Sequence, residues 1–219
     1  MKMKFSSCHE AALTLLDVVV ALVIILIVGG LVLAGIPPHA PANRKGPKIN
    51  CINNLKQIGL AYRIWEGDNN DKYPMGVSMT NGGAMEMVQA GNAVMPFLIM
   101  SNELSTAKIL WCPADENRFS ATNFSSLTSS NISYFVGVDV TDDPQLILGG
   151  DCNIEIGGKP VSPGLLSFGT NEPIGWQSNR HMDCGNLGLG DGSVQSTTRS
   201  GLQAYVVGTG VATNRWAIP

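Results

Sequence analysis

Residues 18–36 read VVVALVIILIVGGLVLAGI, a run without a charge or a strongly polar side chain. An α-helix rises about 1.5 Å per residue, and about 20 apolar residues cross a bilayer core, so residues 13–36 are long enough to span one. Lys2 and Lys4 precede the run, which by the positive-inside rule puts the N-terminus in the cytoplasm and everything after Pro37 outside. One acid, Asp17, stands at its head in Ala12-Leu13-Thr14-Leu15-Leu16-Asp17. A carboxylate at the start of a membrane helix costs a few kcal/mol unless it has a partner, which makes Asp17 a candidate functional residue.

Three kinds of N-terminal segment fit such a run. A secretory signal has a basic start, an apolar stretch of about 7–15 residues and a small-residue cleavage site; this stretch is too long, and an acid heads it. A plain membrane anchor leaves Asp17 without a role. The third kind has a short polar leader, a cut just before the apolar run, and an acid at the fifth mature position. Ala12, then a cut, then Leu13-Thr14-Leu15-Leu16-Asp17 has that frame. On these residues the segment resembles the prepilin signal of the type IV pilin and type II secretion pseudopilin family, Gly, cut, Phe-Thr-Leu-Ile-Glu. It departs at three positions: Ala12 for Gly, Leu13 for Phe and Asp17 for Glu. The resemblance implies cleavage after residue 12 by a prepilin peptidase and methylation of the new terminus on Leu13. In a bundle of such helices the Asp17 carboxylate would pair with a neighbour's terminal ammonium. Pairing neutralises two charges that are costly in lipid and sets the stagger between subunits, as a buried polar residue sets coiled-coil register.

Beyond the membrane run the chain keeps roughly 170 residues, enough for one domain with its own core. Its charged fraction is 14%, below the globular norm of about 25%, with Gly, Ser, Thr and Asn making up the difference. That composition suits an extracytoplasmic, loop-rich β domain. The net charge of −3 leaves no basic footprint for nucleic acid. Of the five cysteines, Cys8 would be lost with the leader, leaving Cys51, Cys112, Cys152 and Cys184 outside, in an oxidising compartment. Four cysteines allow three connectivities, and sequence does not choose among them. The working expectation is Cys51–Cys112, stapling a helix to the body, and Cys152–Cys184, closing the C-terminal loop. Cys152, His181 and Cys184 are the alternative, a zinc set, disfavoured by the compartment and by the lack of a Cys-x-x-Cys pair.

Pro37, Pro38, Pro41 and Pro47 with Gly46 predict a broken connection over 37–47. A helix restarts over 48–66, where Ile52, Leu55, Gly59, Tyr62 and Trp65 make one apolar stripe. It exits at Gly67-Asp68-Asn69-Asn70-Asp71, turn chemistry rather than an EF-hand. A shorter helix is expected over 84–100, a buried strand entering a turn over 108–115, and strands over 132–140 and 145–150. Residues 187–189 and 193–197 flank Gly190-Asp191-Gly192, a hairpin turn.

Three body motifs sharpen the resemblance: Cys51-Ile52-Asn53-Asn54-Leu55-Lys56-Gln57-Ile58-Gly59; Cys112-Pro113-Ala114-Asp115; and His181, nine residues, then Asp191-Gly192. Together with the prepilin frame they resemble a pseudopilin-like group found in Planctomycetes and Verrucomicrobia. The resemblance implies an α+β, pilin-like fold: an N-terminal hydrophobic transmembrane helix, then a helix packed on an antiparallel sheet. Its domains would be a leader (1–12), an assembly helix (13–36), a Pro-rich connection (37–47) and an extracytoplasmic body (48–219). It also implies a structural subunit of a pseudopilus or type IV pilus-like filament. Its partners would be the prepilin peptidase, identical or related subunits and the inner membrane.

For the C-terminal motif, turn chemistry explains Asp191-Gly192, with Gly192 taking a positive φ and His181 hydrogen-bonding across the hairpin. Related secretion pseudopilins hold calcium in a C-terminal loop. Asp183 and Asp191 are two oxygen donors where a hard cation needs six or more, so no cofactor is expected. The rival functions are a membrane-anchored extracytoplasmic module binding a glycan or surface ligand, and a hydrolase using His181 with Asp183 or Asp191. The hydrolase ranks last, because no Gly-x-Ser-x-Gly, His-Glu-x-x-His or phosphate-binding loop is present.

Overall fold

The computed structural model describes residues 15–35, 45–141 and 143–219. Ala12, Leu13, the leader, and Pro37, Pro38 and Pro41 of the expected connection lie outside the described residues. Two compact units are formed, 1–43 and 44–219.

In the first unit, helix α1 runs Leu15–Gly35, 21 residues, with Asp17 in its first turn and no basic residue in its last. The side chains described in it, 15–29, are all exposed. They include Leu15, Leu22, Ile25 and Leu26. Over the described side chains no helix is long and apolar enough to cross a membrane.

The second unit is α+β, with antiparallel sheets. Its first element, α2, spans Lys45–Asp68. Cys51, Leu55, Ile58, Tyr62 and Trp65 are buried along one side, while Leu60 and Ile64 face out, the three- and four-residue spacing of an amphipathic helix. Asn70 and Asp71 then take positive φ and turn the chain away.

Between α2 and the first strand, short helical turns replace two of the expected elements. The helix expected over 84–100 divides into α3 (Met85–Gln89) and α4 (Met95–Ile99). Gly91 has φ +88°, and the Asn92 Oδ1 accepts from the Val94 and Met95 amides to start the second piece. The strand expected over 108–115 is instead a 3₁₀ turn, Ala107–Leu110, opened by Thr106, whose side chain accepts from the Lys108 amide. Short apolar runs do not distinguish strand from buried helix by periodicity, and here the capping threonine decides.

The strands are β1 (Tyr134–Gly137), β2 (Ile147–Asp151), β3 (Ile154–Ile156), β4 (Lys159–Pro160), β5 (Gly164–Gly169), β6 (Ile174–Trp176), β7 (Cys184–Leu189), β8 (Val194–Thr198) and β9 (Thr213–Ile218), with α5 (Arg199–Gly208) between the last two. Six form one sheet in the order β5-β9-β1-β2-β7-β8, and β4-β3-β6 form a second. All described pairings are antiparallel.

Side chains alternate across the six-stranded sheet and build two cores. Tyr134, Val136, Leu148 and Ala217 join α2 and the 69–131 segment on one face. Phe135, Leu187, Trp216 and Ile218 meet Leu202 and Val206 of α5, and Trp176 of β6, on the other. Phe135 and Trp216 stack with centroids 4.1 Å apart. Gly185 leaves room for Trp176, whose ring atoms would stand 2.5 Å from a Cβ there.

Candidate functional site

The three body motifs supply one buried cluster on the α2 side of the sheet. Cys51, on the inner face of α2, is bonded to Cys112, 61 residues further on, as expected. By chain entropy alone, closing such a loop stabilises the fold by about 4 kcal/mol. One helical turn after Cys51, the Asn54 amide donates to the Trp111 carbonyl at 2.9 Å and to the Tyr134 hydroxyl at 3.3 Å. The first motif therefore holds the second covalently and hydrogen-bonds the residue just before it.

Asp115, which closes the Cys-Pro-Ala-Asp element, is buried. Its Oδ2 accepts from the Ser133 hydroxyl at 2.8 Å and pairs with Arg180 at 2.5 Å and Arg118 at 3.2 Å. Arg180 also donates to the Ser133 carbonyl at 3.1 Å. A charge taken from water is tolerated only when paired and hydrogen-bonded, and this pair meets both conditions.

The Asp115–Arg180 pair anchors the residue next to His181. Residues His181, Met182 and Asp183 have φ of 52°, 56° and 60°, a run of left-handed backbone without glycine that costs energy at every position. This turn accompanies a His181 side chain that is only 1% exposed. The ring Nε2 lies 3.4 Å from the Cys112 Sγ and 3.7 Å from the Asp151 Oδ2. Asp151 ends β2 and is fully buried. Its Oδ2 accepts from the Asn186 amide and side chain, both at 2.8 Å, while its Oδ1 has no hydrogen-bond partner among the described residues.

Burial sets the protonation of this cluster. It pushes the Asp151 carboxyl up to about 6, against the pull of Arg180 and the Asn186 donors. It pushes His181 down to about 4, helped by the nearby charges of Arg180 and Lys48. Burial likewise raises the Cys152 thiol.

Several sequence expectations are corrected here. Cys152 and Cys184 are both free, Cys152 buried and Cys184 half-buried. Gly150 pairs with Leu187, and continuing that register sets Cys152 opposite Gly185. Cys184, one residue further, therefore points to the other face of the sheet. Among the described residues the grouping that could share an ion is Cys51, Cys112, Asp151 and His181, not Cys152, His181 and Cys184. Asp151 carried no sequence signal beyond standing next to a cysteine.

His181 turns to Cys112 and Asp151 rather than bonding across the hairpin. Asp191-Gly192 is the turn expected: Gly192 has φ +82°, and the Asp191 Oδ1 accepts from the Ser193 amide at 2.8 Å. Hydrogen bonds from Ser193, its side chain first and its amide second, hold the Asp191 carboxyl below its usual value. The Tyr73 hydroxyl donates to the Gly190 carbonyl at 2.7 Å, and a Cβ on Gly59 would lie 3.3 Å from the Gly192 Cα.

Chemically, the cluster joins helix, loop and sheet at one point. The bonded sulfurs and the His181 side chain are covered from solvent. Comparison with known proteins finds no match: no family model, no curated protein and no solved structure matches this chain.

Proposed function

We propose that the chain is a pseudopilin-like structural subunit, held in a membrane by α1 and assembled with its own kind or with related subunits into a filament. The observation that carries this reading is α1 itself. A helix apolar on every side has to be covered by lipid or by other protein. Its described side chains are exposed, and its one charged residue is Asp17, in the first turn. At about 1.5 Å per residue the described side chains cover ~22 Å, and the helix backbone continues to Gly35 for a total of ~31 Å. The spanning role rests on that full length. The body adds support, since its first helix lies against an antiparallel sheet.

On this reading a prepilin peptidase cuts after Ala12, and the new Leu13 ammonium of one subunit meets the Asp17 carboxylate of another. The test is the intact mass and N-terminal sequence of the chain purified from its native membranes. A start at Leu13, with or without an added methyl group, supports processing and assembly. A start at Met1 leaves a fixed anchor carrying an outer domain, and a start near Pro41 makes the chain a secreted protein; either removes the filament reading.

A further inference from the structure

The sulfurs of Cys51 and Cys112, the Asp151 carboxylate and the His181 ring nitrogen all lie within 4.8 Å of one another. We propose that in the reduced chain Cys51, Cys112, Asp151 and His181 bind a zinc-type divalent cation, so that this point of the fold is closed by a metal ion or by a disulfide, never by both.

The geometry favours convergence over relay. In a nucleophile–base–acid chain a histidine uses one ring nitrogen toward the sulfur and the other toward the carboxylate. Here the same atom, Nε2, faces both Cys112 and Asp151. Donors aimed at one point describe a coordination polyhedron. Tetrahedral zinc, with bonds of about 2.0–2.3 Å, sets its ligand atoms ~3.3–3.8 Å apart. The spacings of 3.4 Å and 3.7 Å from Nε2 fall in that range.

The surroundings fit a ligand set as well. The Asp151 Oδ2 is already oriented by two donors from Asn186, the outer support that metal-binding carboxylates require. The Asp151 Oδ1 is buried without a hydrogen-bond partner among the described residues, which leaves acceptor capacity unused. Two thiolates, an imidazole and a carboxylate form a soft, mixed set that suits zinc better than calcium or magnesium.

The chemistry balances with a dithiol as reductant. Two electrons and two protons pass to the disulfide, giving two thiols and the reductant's own disulfide. The cation then binds the two sulfurs as thiolates, and their protons leave to solvent. The thiol state also exists in every newly made chain before its disulfide forms.

The test uses the full chain in detergent, oxidised or reduced with a phosphine and titrated with cobalt(II) as a spectroscopic stand-in for zinc, then with zinc by elemental analysis. The reduced chain is expected to take up one equivalent, with thiolate-to-cobalt charge-transfer bands and strong tetrahedral visible bands; the oxidised chain takes up none at this site. His181→Ala and Asp151→Asn each weaken binding at least ten-fold, whereas the double variant Cys152→Ser/Cys184→Ser leaves it unchanged. The proposal is overturned by reduced chain without a stoichiometric cobalt–thiolate spectrum, by the same spectrum in strong denaturant, or by loss of binding in the Cys152/Cys184 variant. Wild-type chain alone decides the first two, so a variant that fails to fold does not rescue the idea.

Discussion

Gly59 of α2 rests against Gly192 of the β7–β8 hairpin, with 3.3 Å between the place of a Cβ on the first and the Cα of the second. Two motifs 133 positions apart in sequence (192 − 59) thereby touch through bare backbone. The glycine in the helix is explained by this approach, and the one in the turn by its φ of +82°. Gly59→Val is expected to destabilise the body by about 1–3 kcal/mol, the usual cost of overpacking. Gly59→Ala should be close to neutral, because a gain of about 1 kcal/mol in helix propensity offsets the tight contact. Denaturant unfolding followed by tryptophan fluorescence separates the two, and equal midpoints for Val and Gly would remove the contact from the account.

The Asp115–Arg180 pair is buried on both sides. Removing Asp115 leaves buried Arg180 without this counter-ion and is expected to cost about 3–5 kcal/mol, whereas removing Arg180 leaves Asp115 its pair with Arg118 and should cost less. Arg180→Met with Asp115→Leu should recover a large part of that loss. A double-mutant cycle on unfolding free energies checks this, and additive losses would contradict a direct pair.

Tyr62 carries the opposite kind of group. Its hydroxyl is buried with no hydrogen-bond partner among the described residues, while its ring meets Tyr73 edge-on. Tyr62→Phe keeps the ring and removes the unsatisfied oxygen, so stability should rise by up to about 1 kcal/mol. A fall of that size in the unfolding free energy would mean that the hydroxyl has an acceptor.

In the disulfide form, Asp151 and His181 pull stability in opposite directions with pH. Asp151, raised from 3.8 to about 6, adds stability below pH 3.8 that is lost as pH climbs through 6. His181, lowered from 6.5 to about 4, adds stability above pH 6.5 that is lost as pH falls through 4. The wild type should therefore be nearly flat between those limits. His181→Gln should lose stability as pH rises from 4 to 6, and Asp151→Asn should gain it over 4 to 6.5. Thermal melts across that range read the slopes; a positive slope in His181→Gln would sink the assignment.

Thiol counting tests the cysteine assignment and the leader together. Without reduction, native chain should react with a maleimide at Cys184 and only slowly at buried Cys152. Denatured chain should show two thiols if the leader has gone and three if Cys8 is retained. One thiol or none would mean that Cys152 and Cys184 are bonded after all.

The parts of the fold legible in sequence are those with local signatures. The α2 stripe shows in its periodicity and the hairpin in Gly190-Asp191-Gly192, whereas the Cys51–Cys112 bond was one of three connectivities that sequence left open. Strands β3, β4 and β6 are two or three residues long, so alternation had no length over which to build, and β5, Gly164-Leu165-Leu166-Ser167-Phe168-Gly169, does not alternate apolar with polar residues. Helix α5 starts on Thr198, whose hydroxyl accepts from the Gly201 amide, but its Arg199-Ser200-Gly201 opening reads as turn. Within the cluster, Cys51, Cys112 and His181 were visible as motif residues. Asp151 and Arg180 were not, since their importance comes from register and from a distant ion pair, neither of which leaves a local pattern.

Strand β9, the last of the described strands in sequence, lies between β5 and β1 in the six-stranded sheet. A ribosome therefore delivers the two flanking strands first, with a gap between them that stays open until residues 213–218 emerge. During that interval β1 and β5 each present an unpaired edge, the situation most exposed to pairing with the wrong chain. The six-stranded sheet cannot close before β9 is made, and the growing chain has to be kept from its neighbours until then.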